Sequence, residues 1–215
     1  MPHSVPTGLL RIPRAGGLLL SLAALLMSLG CWVDSVNGLE ENDLLHQDED
    51  VVQDEDVVFD PTLVAAWQVT SDNCTLTLTI SGAAKTYELK TAGQGEGCND
   101  SDKKIEYYQG RLLKLDDHFF LDMSPRPDDV CEMCLPLHWI FIVKFDKEKM
   151  SLIPIDDEWL KHALEQGTVT LATMPGDTDR LTASSKDLKA FCRKYAENKE
   201  VFKPVPGLSF TRKPG

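Results

Sequence analysis

Residues 110–159 decide how the rest of the chain is read: GRLLKLDDHFFLDM (110–123), SPRPDDVCEMC (124–134), LPLHWIFIVKFD (135–146), KEK (147–149) and MSLIPIDDEW (150–159). These are four apolar runs of strand length separated by turn signals. Asp116-Asp117 breaks the first run, the 124–134 loop breaks the second, and DKEK at 146–149 breaks the third. Short strands joined by tight turns pair antiparallel, so the stretch predicts the middle of an antiparallel meander.

The pattern continues toward the amino terminus. CTLTLTI (74–80) alternates strictly, with Leu76, Leu78 and Ile80 on one face and Thr75, Thr77 and Thr79 on the other. That is the period of a half-buried strand. Ser81-Gly82 marks a turn and 86–89 returns as its partner. The stretch 91–103, rich in Gly, Asn and Asp, reads as a long loop, and strand resumes at 105–115 with Gly110 as a bulge or a point of close approach. Residues 57–70 open the domain, with Trp67 as the first large apolar anchor. Seven or so strands of this kind close into a barrel to remove their edges.

After Trp159 the period changes from two to 3.6. Asp156, Asp157 and Glu158 place acids at a helix start; Trp159, Leu160, Ala163 and Leu164 form one stripe, and Gly167 ends it. Residues 168–172 read as a short β-like return. Ser184 and Asp187 then form a capping-box signature, and Leu188, Phe191, Cys192 and Tyr195 make a second apolar stripe. The fold class is therefore mainly β (α+β), with two amphipathic helices on or beside the sheet. The tail, with Pro204, Pro206 and Pro214, reads as irregular.

The amino terminus carries different information. Arg11 and Arg14 precede the apolar run GLLLSLAALLMSLG (17–30), followed by Cys31, which is the order of an export signal over 1–30. Gly30-Cys31 marks Cys31 as a lipidation candidate; Ser28 and Gly30 equally satisfy ordinary signal cleavage, which would leave a secreted protein. Residues 31–56 read as an acidic flexible linker containing the tandem repeat QDEDVV, and 57–215 as a single domain. The formal net charge of -12 belongs mostly to that linker: 34–60 holds eleven acids and no Lys or Arg, and from Pro61 onward 20 basic residues face 23 acidic ones. Nothing here favours nucleic acid, which needs a clustered basic face.

The signal, the acidic tract ending in FDPTLVAAW, the central GRLLKLDDHFFLDMSP, LPLHWIFIV and SLIPIDDEWL together resemble uncharacterised bacterial lipoproteins described as lipocalin-like or calycin-like. The resemblance covers roughly 57–195. It implies a lipocalin-like β-barrel outside the cytoplasmic membrane, in the periplasm or at the outer membrane. Lipocalins pack the tryptophan of a Gly-x-Trp motif under an arginine from the chain's end. Ala65-Ala66-Trp67 keeps that barrel tryptophan without the glycine, and Arg212 is the candidate partner.

Six cysteines in an exported chain imply disulfides, with Cys74, Cys98, Cys131, Cys134 and Cys192 as candidates beside Cys31. Cys74 and Cys98 flank a hairpin and could meet at one end of it. Cys131 and Cys134 are open to three readings: a structural disulfide, with each other or with Cys192; a zinc half-site with His138, completed by His118 or Cys192; or a redox pair. His118 and His138 lie at strand starts near Asp116, Asp117 and Asp122, where packing roles outweigh catalysis. Asn73-Cys74-Thr75 and Asn99-Asp100-Ser101 match the glycosylation acceptor pattern. No Gly-x-Ser-x-Gly, His-Glu-x-x-His or phosphate-cradling glycine loop occurs. The expected function is a non-enzymatic binding or interaction module for a small apolar ligand or an envelope protein, without a cofactor, joined to the membrane by a lipid. The alternative is a metal or redox role through Cys131 and Cys134.

Overall fold

A computed structural model describes residues 33–39, 55–126 and 137–214. The export segment, Cys31, the first QDEDVV copy with the start of the second, and the pair Cys131 and Cys134 lie outside the described residues.

The 74–80 alternation sits at the centre of a closed barrel. Strands β3 (Ala65–Ser71), β4 (Cys74–Ala83), β5 (Thr86–Gln94), β6 (Glu106–Leu115), β7 (His118–Pro125), β8 (Trp139–Phe145) and β9 (Lys149–Pro154) pair antiparallel with their neighbours in chain order. A last strand, β12 (Ser209–Arg212), pairs with both β9 and β3 and so closes eight strands on themselves. Two short strands complete the account of this sheet's edges and its surroundings: β1 (Asp34–Ser35) lies in a separate small sheet, and β2 (Val57–Val58) pairs with β6 at Leu112 and Leu113.

Turn chemistry sets the register. Asp72 and Asn73 both have positive φ, 49° and 64°, which gives the β3–β4 hairpin the tight turn whose twist matches its strands. Gly110 is a close-approach point, not a bulge. The β6–β7 register passes through it unbroken, and a Cβ there would stand 2.8 Å from a Leu89 methyl. It is also where one edge of β6 stops pairing with β5 and takes up β2.

Three readings of the sequence are corrected. The 91–103 loop is shorter than expected, because β5 runs on to Gln94 opposite Thr75, and Asn99 then caps a short helix, α1 (Asp100–Lys103). The carboxy-terminal tail is not irregular throughout: its prolines flank β12 without interrupting it, and Pro206 starts the 3-10 turn that leads in. The β-like return is displaced from 168–172 to the hairpin β10 (Thr173–Met174) and β11 (Asp177–Leu181), turned at Gly176 with φ 83°. Both expected helices form, as α2 (Asp157–Glu165) and α3 (Ser185–Tyr195), capped by Asp156 and Ser184.

The barrel wall separates two cores. Inside, Trp67, Leu78, Ile80, Leu89, Leu112, Leu121, Phe141, Met150 and Phe210 fill the lumen. Outside, Leu113, Leu115, Phe120, Ile140, Ile142 and Ile153 from β6–β9 meet Leu160 and Ala163 of α2 and Leu188, Phe191 and Cys192 of α3. Among the described residues only the β6–β9 half of the barrel is clad in this way, and the β3–β5 half is bare.

Candidate functional site

The lumen is the first place a lipocalin-like barrel would hold a ligand, and here it is occupied by side chains. The Arg212 guanidinium lies 5.0 Å from the Trp67 ring and donates to the Thr62 carbonyl, while Trp67 Nε1 donates to the Leu63 carbonyl at 2.9 Å. The arginine therefore closes one end of the barrel over the tryptophan, as the resemblance implied. Toward the other end a cavity of about 20 Å³ remains among Leu76, Leu78, Tyr108, Met123, Trp139 and Phe210. That is room for about one water and not for an acyl chain. Tyr108 hydrogen-bonds Glu106 at 2.5 Å, and its hydroxyl is held protonated far above the usual range, first by burial and then by that carboxylate.

The second place is on the outer face of the clad half. Asp122 of β7 is 5% exposed and accepts two hydrogen bonds: from the Leu39 backbone N–H at 2.6 Å and from His138 Nδ1 at 2.7 Å. Burial of the imidazole lowers its proton affinity, but the hydrogen bond and charge of Asp122 outweigh that, and the His138 pKa ends above its ordinary value. The pair clamps residues 33–39, which the sequence reading placed in the linker. Ser35 exchanges backbone hydrogen bonds with His138, β1 pairs parallel with β11, Arg180 binds Asp34, and Asn37 reaches the Ala183 carbonyl. Gly38 lets the backbone pass, since a Cβ there would stand 2.5 Å from Asp122 Oδ2 and 2.8 Å from His138 Nδ1. The packing of 33–39 corrects the flexible-linker expectation for those residues: Val33 and Leu39 are apolar anchors in the outer core.

His138 Nδ1, part of the expected zinc half-site, is thus engaged with a carboxylate. His118, a candidate fourth ligand, pairs with Glu197 at 2.9 Å. Cys192, the other candidate, is not in a disulfide. It is a free thiol, wholly buried in the outer core, and burial with the nearby Asp122 charge pushes its pKa far up, so it stays protonated. Its place in the stripe of α3 had already marked it as a packing residue.

Cys74 and Cys98 do form a disulfide. Asp102 of α1 lies against it, 1% exposed, a neighbour with no signal in the sequence beyond the capping pattern that starts at Asn99. A buried disulfide belongs to an oxidising, extracytoplasmic compartment. Among the described residues no helix is long and apolar enough to cross a membrane.

The surface adds one local feature. Among the described residues Ile105 and Tyr107 are the large apolar side chains most open to solvent, at 48% and 37%. The Arg126 guanidinium stacks 4.2 Å from the Tyr107 ring centroid and Lys90 Nζ lies 5.8 Å from it, so β5, β6 and the residue that follows β7 present one cation–aromatic–cation row.

No family model, no curated protein and no solved structure matches the chain.

Proposed function

We propose that this chain is an exported bacterial envelope protein, lipid-anchored through Cys31, whose barrel acts by surface contact with a protein partner and not by carrying an apolar ligand. The observation that carries this reading is the lumen filled by side chains, where the cavity beside Tyr108 and Met123 has room for about one water and not for an acyl chain. Carriers of this architecture need an interior several hundred Å³ in size. The export signal and the disulfide support the compartment. The row of Lys90, Tyr107 and Arg126, with Ile105 beside it, is the surface best suited to a partner, because aromatic and arginine side chains dominate the energetics of interfaces.

The test places a photoreactive amino acid at position 107, and at exposed position 209 on β12, across the barrel from β6, as control, in cells making the full chain. One discrete adduct in the membrane fraction from position 107, none from position 209, and release to the soluble fraction by Cys31→Ser are the expected results. Equal labelling at both positions, or a lipid recovered one-to-one with the purified protein, would contradict the reading.

A further inference from the structure

Cys74 opens β4, Cys98 stands just before α1, and Asp102 lies in α1. The fold thereby brings two sulfurs and a carboxylate oxygen within 4.8 Å of one another, all on buried side chains. Asp102 Oδ2 accepts the Asn99 N–H at 2.8 Å and lies 3.9 Å from Cys74 Sγ. Asp102 Oδ1 is buried with no hydrogen-bond partner. A disulfide has no proton to offer it, so the oxidised state leaves a buried acceptor unused. Gly93 lets α1 rest directly on β5, since a Cβ there would stand 2.4 Å from the Asp102 backbone carbonyl oxygen.

We propose that in the reduced protein Cys74, Cys98 and Asp102 bind zinc, so that the disulfide and the metal are alternative states of one site. A dithiol reductant supplies two electrons and two protons to the S–S bond and itself becomes a disulfide, leaving two thiols. Zinc then displaces both thiol protons to solvent and forms two Zn–S bonds and one Zn–O bond, with water in the fourth position. Tetrahedral zinc, with Zn–S about 2.3 Å and Zn–O about 2.0 Å, sets its sulfurs about 3.8 Å apart and sulfur and oxygen about 3.5 Å apart. The Cys74–Asp102 separation of 3.9 Å is close to that already. Only the sulfurs must part, which reduction permits. The cation also offsets two of the three negative charges that thiolates and carboxylate bring together. Two sulfurs and one oxygen select a thiophilic ion over calcium or magnesium, which take oxygen ligands.

The test uses the full chain with Cys31→Ser, Cys131→Ser and Cys134→Ser, reduced with a phosphine under anaerobic conditions. Cobalt(II) is added as a spectroscopic probe, followed by zinc in competition with a chromogenic chelator. The expected result is one equivalent bound, a sulfur-to-cobalt charge-transfer band, no uptake by the oxidised protein, and affinity at least ~10-fold lower in Asp102→Asn, whose disulfide and fold remain intact. Uptake no greater than that of a Cys74→Ser/Cys98→Ser variant, or unchanged affinity in Asp102→Asn, would overturn the proposal. So would a reduced chain whose circular dichroism shows no barrel with or without zinc.

Discussion

The two halves of the barrel solve the same problem differently. Strands β3–β5 bury one face only. Their outer side is polar and self-satisfied, with Thr70 bonded to Thr75 at 2.9 Å and Gln68 to Thr77 at 3.0 Å. Strands β6–β9 bury both faces, one in the lumen and one under α2, α3, Phe202 and residues 33–39. The clad half thus gains a second core. Among the described residues the bare half has no second core, and it is the half that carries the disulfide, joining the start of β4 to the chain beyond β5. A covalent tie restricts the unfolded chain where the folded state has less apolar area to bury. Each half has its own means of stability.

Four substitutions test this contrast, in order of expected effect. Phe120→Ala removes a fully buried ring on the outer side of the clad half, where it meets Phe202 edge-on at 5.8 Å, and should cost about 3–5 kcal/mol in denaturant unfolding. A cost below about 1 kcal/mol would mean that the outer core is not a true core. Replacing Cys74 and Cys98 by Ser opens a loop with a sequence separation of 24 and should cost about 3.5 kcal/mol by chain entropy. A negligible loss would remove the staple from the account.

Asp122→Ala comes next. It strips the Leu39 N–H and His138 of their shared acceptor, and we expect a loss of about 2–3 kcal/mol together with faster hydrogen exchange at Leu39. The pH dependence follows from the raised His138 pKa. A group whose folded value is raised contributes stability fully below its unfolded value of about 6.5, and loses that contribution as pH rises through the folded value. Protection of Leu39 should therefore fall between mildly acidic and mildly basic pH in the wild type and stay flat in His138→Gln. A rise in protection over that window would reverse the assignment. Smallest of all, Thr79→Ala on the exposed side of β4 should change stability by about 0.5 kcal/mol or less, the size of a surface strand preference. An effect comparable to that of Phe120→Ala would mean the bare half is covered in solution.

The same asymmetry governs how much of the fold was legible in the sequence. CTLTLTI announces its inward face, because water on the other side demands threonine. HFFLDM and WIFIV announce strands but not faces, since both sides are apolar, and nothing in either run says that a second core lies outside. The helices were readable from their stripes and caps. β12 was not, because four residues between prolines carry too little pattern, although Arg212 within it was traceable through Trp67. Asp122 was recognisable as a buried acid beside a histidine only once Leu39, 83 residues away in sequence, was placed against it. Gly38, with apolar Val33 and Leu39 around it, was the available sign that the stretch after Cys31 is not wholly linker. Asp102 had even less signal: a capping aspartate and a disulfide neighbour look the same in sequence.

The filled lumen is the claim on which the proposed function stands, and calorimetric titration of the purified chain with a long-chain fatty acid tests it most directly. The account predicts no saturable heat at ligand concentrations up to the solubility limit. One-to-one binding that is abolished by Leu78→Trp, which fills the remaining space beside Tyr108 and Met123, would contradict it and return the barrel to the carriers.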